Sequence, residues 1–444
     1  MGTKDLYSSG WRDNRKELQT NFFWGQLFRK NSLVALALGS ALIVLFMIFF
    51  GVPWISEQIS QAHGSLSKTE HQATHLPGST AKKPVSIDPE SLHLNPTHLS
   101  DRFVLKRGGV PLIVESSLDS GLQDYIVQLL QKSRNLKAAV VVLRPDDGRV
   151  LAMASYDKDQ KGEDLCLKAD FPAASLFKIV SAAAAFEFAG FTPGKTVYFD
   201  GRKHTLYKHQ LKQKKGKYTS KLSFKRAFAS SINPVFGKLG IYNLGQKIMS
   251  ASAERFLFNQ PIPFDLPVAE SFVHVPDDDF GLAEIATGFN KKTTISPIHA
   301  ALLSSAVVNN GVMMKPWLVK RISQENGEIL YKNRPAKLTR SISRNTASKL
   351  KILMKDTVDH GTCRKYFRSL KRKKTFKNME LGAKTGTVND ETDQFKYDWL
   401  TAYVLPPNGA KGICIAVLGI HGKKLGIRAK KLARNIINHY FSSS

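Results

Sequence analysis

Ser175 and Lys178 stand three residues apart in the stretch Phe171 to Val180, FPAASLFKIV, at the opening of an apolar run that continues through Phe186 and Phe188. Only a buried helix tolerates such a run, and residues three apart share a helix face. The pair therefore predicts an activated serine: Lys178, pressed into an apolar helix start, is disfavoured as a cation, and only the neutral amine accepts the serine proton. The free N–H groups of a helix start would face the same place. Spacing alone does not select this pair, because Ser65/Lys68, Ser79/Lys82, Ser155/Lys158 and Ser348/Lys351 repeat it. Two later stretches do. Ser231-Ile232-Asn233 offers a second hydroxyl and a carboxamide, and Lys384-Thr385-Gly386-Thr387 contains the one Lys-Thr-Gly of the chain. Gly386 on a strand lets a substrate backbone approach where a side chain would block it. Lys384 supplies charge that holds a substrate carboxylate and keeps Lys178 neutral, with the hydroxyls of Thr385 and Thr387 beside it. The backbone N–H groups of Ser175 and Thr387 would form an oxyanion hole, each donor worth about 3 kcal/mol in the transition state. Ser231 would relay a proton to the leaving group, and Asn233 would hold the substrate amide. Together these groups make a complete acyl-transfer site.

The elements that must position them follow from periodicity. Leu122 to Leu130 carries a helical apolar stripe, and Ala138–Leu143 and Val150–Ala154 read as a hairpin joined by Pro145-Asp146-Asp147-Gly148-Arg149. Lys203 to Arg226 mixes lysines with Leu206, Tyr207, Leu211, Tyr218 and Leu222 and predicts an exposed loop or short strands with a solvated basic face. Ser296-Pro297 starts a helix that Asn310-Gly311 ends, and a second helix is expected over Asn345–Val358. Strands follow at Met379–Val388, Trp399–Leu405 and Ile413–Ile420, with a final helix over Leu425–Tyr440. The sheet is thus assembled from both ends of the domain around an inserted helical lobe, with the site between lobe and sheet.

The chain of 444 residues has a formal net charge of +29, which predicts attraction to polyanions: nucleic acid, anionic lipid or acidic cell-surface polymers. Leu33–Pro53 is nearly continuous apolar sequence, long enough to cross a bilayer as a single transmembrane helix. Lys4, Arg12, Arg15, Lys16, Arg29 and Lys30 precede it and no Lys or Arg follows until Lys68, so residues 1–31 are expected in the cytoplasm, 32–54 as the anchor, 55–101 as an extracytoplasmic linker and 102–444 as the folded domain. That orientation argues against nucleic acid. His63, His71 and His75 fit no metal spacing, and Cys166, Cys363 and Cys414 imply neither a zinc site nor a disulfide framework.

In the order and spacing of its motifs the chain resembles the transpeptidase domain of penicillin-binding proteins, in a monofunctional, class B-like form. Ala138–Leu143 with Asp147–Met153 resembles that family's opening hairpin, Ala286-Thr287-Gly288 through Ser296-Pro297 and Asn309-Asn310-Gly311 its central helical segment, and His360-Gly361-Thr362-Cys363-Arg364 its Gly-Thr stretch. The resemblance implies an α+β, penicillin-binding/β-lactamase-like fold, an antiparallel sheet flanked by helices, in a single-pass protein of the inner membrane. It implies a serine D,D-transpeptidase that cross-links peptidoglycan stem peptides through an acyl-enzyme on Ser175 and is acylated by β-lactams. Ser175 would be nucleophile, Lys178 base, Ser231 relay and Asn233 substrate clamp, with Lys384, Thr385, Gly386 and Thr387 on the carboxylate and oxyanion side. No metal or organic cofactor is implied, and cell-wall synthesis proteins are the expected partners. The stretch from Ile55 to Arg102 is too short for the glycosyltransferase domain of bifunctional members. A D,D-carboxypeptidase, a β-lactamase or β-lactam sensor, and a non-catalytic wall scaffold remain as alternatives; the class D β-lactamases usually place an apolar residue where Asn233 stands.

Overall fold

Strand β3 (Lys137–Leu143) explains the architecture by its alternation. Ala138, Val140 and Val142 pack into one core and Ala139, Val141 and Leu143 into another, so the strand is apolar on both faces and must lie between two layers. The computed structural model describes residues 87–92, 94, 100–159, 164–407 and 412–442. After a 3₁₀ turn at Pro89–Leu92 comes a hairpin of β1 (Arg102–Arg107) and β2 (Val110–Ser116), followed by helix α1 (Ser120–Gln131), β3 and β4 (Val150–Asp157). A 3₁₀ turn, Ala174–Phe177, leads into α2 (Lys178–Phe188). The helical lobe holds the short pair β5 (Thr196–Phe199) and β6 (Ser220–Ser223), then α3 (Phe224–Ala229), α4 (Asn233–Leu239), α5 (Gly245–Arg255), α6 (Asp279–Thr287) and α7 (Pro297–Val308). Four short strands follow: β7 (Val312–Met314), β8 (Val319–Gln324), β9 (Ile329–Lys332) and β10 (Lys337–Arg340). Helices α8 (Arg344–Asp359) and α9 (Arg364–Lys371) precede β11 (Glu380–Asn389), β12 (Lys396–Leu405), β13 (Ile413–His421) and α10 (Ala429–Ser442).

The main sheet has the order β11-β12-β13-β3-β4 and is antiparallel throughout, so both ends of the domain build it, as the strand pattern predicts. Residues Trp399 and Tyr403 of β12 face the layer of α2 and α7, whereas Leu400, Ala402 and Val404 face the layer of α1, α9 and α10. A second sheet, β1-β2-β8-β9, is not legible in the sequence pattern, since β1 is exposed on most of its length and β8 and β9 are short. Ile87 and Leu94, in the stretch read as linker, are buried in the same core as Val114 and Ile322.

The last helix starts at Ala429, four residues later than its apolar pattern suggests. Ile427 N–H donates to the Ser133 carbonyl and Gly426 N–H to His421 Nδ1, so residues 425–428 are a docked loop. The carboxylate of Asp398 accepts from Ala429 N–H and caps the helix instead. The apolar run 33–53 and the three linker histidines lie outside the described residues; among the described residues no helix is long and apolar enough to cross a membrane. Cys166, Cys363 and Cys414 are buried free thiols, and burial pushes Cys363 and Cys414 up to about 12.

His299, at the start of α7, is fully buried: Ser271 Oγ lies 2.7 Å from Nδ1 and the Phe256 carbonyl 2.6 Å from Nε2. Burial lowers its pKa from 6.5 to about 4. The folded value lies below the unfolded one, so its contribution is complete above about pH 6.5 and is lost as pH falls toward 4, by about 3 kcal/mol in all. Urea midpoints measured from pH 7 to 4.5 should fall accordingly, with a smaller slope in His299→Leu.

Candidate active site

The site is built where the 3₁₀ turn, the α3–α4 connection and strand β11 meet. Ala173 N–H donates to the Thr293 carbonyl and Ile295 N–H to the Phe171 carbonyl, which pins the chain ahead of the turn. Ala174 then takes φ +48°, a left-handed conformation that costs a non-glycine residue about 1 kcal/mol. The strained turn presents Ser175 at the mouth of α2, with Lys178 one turn in and wholly buried.

Three oxygens surround Lys178 Nζ: Ser175 Oγ at 2.8 Å, Asn233 Oδ1 at 2.8 Å and the Thr287 carbonyl at 2.6 Å. The amide and carbonyl oxygens can only accept; the serine hydroxyl is the one partner that can donate. A neutral amine has two N–H bonds and one lone pair, so with both N–H groups given to Asn233 and Thr287 its lone pair is left for the Ser175 proton. Burial, and secondarily the charge of Lys384, hold Lys178 well below its ordinary value, which favours that neutral form.

Ser231 sits between α3 and α4 at φ +54°, and its Oγ accepts from Lys384 Nζ at 3.0 Å. Lys384 also donates to the Thr385 carbonyl at 2.7 Å and is itself fully buried, so burial lowers it to about 7. The alternation of β11 explains its direction: Leu381 and Ala383 face the α9–α10 layer, and Lys384 faces the lobe. Both ends of the Asn233 amide are engaged inside the protein, Oδ1 with Lys178 and Nδ2 with the His204 carbonyl at 3.0 Å. Lys384 and Lys178 are therefore interior groups, and the cation that lines the cleft itself is Lys430.

Thr385 Oγ1 lies 2.8 Å from Thr362 Oγ1, and Thr387 Oγ1 donates to Asp398 Oδ1 at 3.3 Å. Asp398 is buried and gripped by Arg428 through two hydrogen bonds, and the Arg428 guanidinium keeps its carboxyl far below the usual carboxylate range against the opposing pull of burial. Gly386 lies against the turn: a Cβ there would stand 3.1 Å from Ala174 Cβ and 3.3 Å from the Ser175 nitrogen. Its strand is one of the two edges of the sheet, where a strand of substrate can be added.

The cleft, about 330 Å³, is lined by Ser175, Ser231, Asn233, Thr385 and Thr387 together with His204, Gly288, Phe289, Thr362 and Lys430. All eight predicted residues thus converge, six of them within the motifs as lining or edge groups and the two lysines behind them. His204, Phe289 and Lys430 were not singled out by the sequence: His204 and Lys430 lie outside the motifs, and Phe289, inside the central segment, carries no chemical signal of its own. Thr287 contributes through a backbone carbonyl, which leaves no trace in side-chain identity. Gly361-Thr362 has a visible role: Thr362 N–H donates to the Ala229 carbonyl at 3.1 Å, and a Cβ on Gly361 would lie 2.2 Å from that same oxygen.

Residues 138–438 match the family model described as penicillin binding protein transpeptidase domain. The peptidoglycan D,D-transpeptidase PbpA of Mycobacterium tuberculosis is 25% identical over 319 residues, 64% of this chain and 62% of that protein. Stage V sporulation protein D of Bacillus subtilis is 24% identical over 57% of this chain and 40% of that protein. The chain therefore spans less than two thirds of the length of these curated relatives. Among solved structures, penicillin-binding protein A of M. tuberculosis superposes with a TM-score of 0.59 at 24% identity, covering 73% of this chain and 80% of that one. Its imipenem acyl-enzyme complex gives a TM-score of 0.61 at 23% identity, covering 74% and 79%.

Proposed function

We propose that this chain, which belongs to the penicillin-binding protein transpeptidase family, is a serine D,D-transpeptidase of the cell wall. Ser175 attacks the carbonyl of the D-Ala-D-Ala bond of a peptidoglycan stem peptide, D-alanine leaves, and an amine of a neighbouring stem takes the acyl group. The observation that carries this reading is the environment of Lys178, whose neutral amine has one lone pair and one donor to accept from.

Lys178 takes the Ser175 proton as Oγ bonds to the substrate carbonyl carbon, and the carbonyl oxygen, which gains the negative charge, is held by the backbone N–H groups of Ser175 and Thr387. Ser231, whose Oγ accepts from Lys384, gives its proton to the departing amine as the C–N bond breaks and takes one from Lys178 in return, which restores the neutral amine. The substrate backbone pairs with the free edge of β11 at Gly386, and Thr385, Thr387 and Thr362 meet its carboxylate, with Lys430 beside them and Lys384 supplying charge from behind. Asn233 exchanges its bond to the His204 carbonyl for the substrate amide. The second half-reaction repeats these steps with the stem amine in place of Ser175 Oγ. A β-lactam enters the same path and stays, because its leaving group remains tethered. The chain is held by its N-terminal span in the inner membrane, single-pass, with the N-terminus cytoplasmic and this domain outside.

The test is labelling with a fluorescent penicillin. The native chain should carry a long-lived adduct and Ser175→Ala none, with both melting at similar temperatures. Rapid loss of the label would mean a β-lactamase, and absence of label on the folded native protein would mean a scaffold. Exchange of D-alanine for an added amine, measured on a D-Ala-D-Ala peptide, separates transpeptidation from carboxypeptidation.

A further inference from the structure

The positive charge that catalysis leaves unused is gathered most tightly on α9. Between His360 and Met379 the chain has eight Lys and Arg and no Asp or Glu. Phe367 and Leu370 are buried beneath the helix, which turns Arg364, Arg368 and Arg372 outward at positions i, i+4 and i+8. Such positions follow one face, about 6 Å apart along the axis. With Lys371 they line a surface cavity of about 230 Å³ floored by Val358 and Asp359. Asp359, the one carboxylate in it, is already held by Lys355 at 2.6 Å and by Lys371. The three guanidinium groups form no hydrogen bond or ion pair among the described residues. Like charges so placed repel, and each guanidinium offers a planar fork that matches phosphate oxygens two at a time.

We propose that the Arg364, Arg368 and Arg372 face of α9 binds a soluble linear polymer carrying repeated phosphate groups. A row of evenly spaced forks suits a chain with a charge at every repeat. A bilayer surface is the poorer match, because membrane-binding faces pair cations with exposed apolar side chains. On α9 itself no large apolar side chain is exposed, and the exposed Ile352 of α8 stands alone in sequence. The stripe begins two residues beyond Thr362, which lines the cleft.

The full chain in detergent would be titrated with fluorescently labelled long-chain polyphosphate from low to moderate salt. In the triple variant R364A/R368A/R372A the affinity should fall tenfold or more, and the slope of log affinity against log salt should shrink by about 2, as expected for the loss of three phosphate contacts. The variant K212A/K214A/K217A removes the same charge from the lobe loop and should change affinity less than threefold. Equal losses in the two triples would overturn the site in favour of a non-specific field. Competition by dihexanoyl phosphatidylglycerol or by poly-L-glutamate, as strong as that of polyphosphate at equal anion concentration, would overturn the phosphate polymer in favour of lipid or of acidic peptide. Penicillin labelling of each variant reports that it is folded, and Arg368→Gln alone, expected to weaken binding about threefold, carries the test should the triple variant fail to fold.

Discussion

Lys178→Met is expected to slow acylation of Ser175 by penicillin about a thousandfold or more while leaving a folded protein, since a positioned general base contributes about 10² to 10⁴ and groups acting as one unit fail together. Methionine fills much of the space of the lysine stem. It removes the acceptor for the serine proton and leaves Asn233 Oδ1 and the Thr287 carbonyl without their donor. Those two orphaned acceptors cost about 1 to 3 kcal/mol each in stability, so the melting temperature should drop by several degrees without collapse. Stopped-time labelling gives the rate and calorimetry the melting point; a rate within tenfold of the native one would remove Lys178 from the base role.

The same group sets the pH profile. Only the neutral amine works, so the rate rises with pH through the lowered pKa of Lys178. Burial is the first cause of that lowering and the charge of Lys384 the second. Lys384→Met removes the second, so the ascending limb should move to higher pH in that variant, beyond any fall in the plateau. Above about pH 7 Lys384 loses its own charge, which shapes the descending side of a bell.

Gly288→Ala should be the more damaging of two glycine substitutions that look alike in sequence. Gly288 caps α6 at φ +64°, and a Cβ there would fall 1.9 Å from the Ala174 carbonyl oxygen and 3.2 Å from the Ser175 nitrogen. Backbone must shift, and what shifts is the strained turn that presents Ser175, the proposed nucleophile. Displacement by about 1 Å at a reacting centre costs about 10²-fold. Gly190 has a similar φ of +63° but open space around its Cβ position, so Gly190→Ala pays only the left-handed conformation, about 1 to 2 kcal/mol, and should acylate at the native rate. Equal acylation rates in the two variants would show that the contact between Gly288 and Ala174 does not position Ser175.

Much of the site was readable because its chemistry is carried by side chains in short motifs: Ser175 with Lys178, Ser231 with Asn233, and Lys384 through Thr387. Their convergence was readable too, in outline, because period-2 runs at both ends of the domain must share a sheet and the apolar helix of Ser175 must pack on it. What motif spacing could not give is direction. The alternation of β11 sends Lys384 inward to Ser231 while Thr385 and Thr387 stand at the cleft, and that depends on which core Leu381 and Ala383 enter.

The amino-acid sequence by itself determined the residues that converge in the cleft, the two-sided sheet and the inserted lobe, since all three are written in residue type and local period. Tertiary structure alone decided the third partner of Lys178, the tight fit of Gly288 against the Ser175 turn, the start of α10 on Asp398, and the presence of Lys430 in the cleft. Each of these joins segments far apart in the chain through a backbone carbonyl, a close approach or a buried carboxylate. Such contacts depend on where the chain passes in space, which side-chain identity and spacing do not encode.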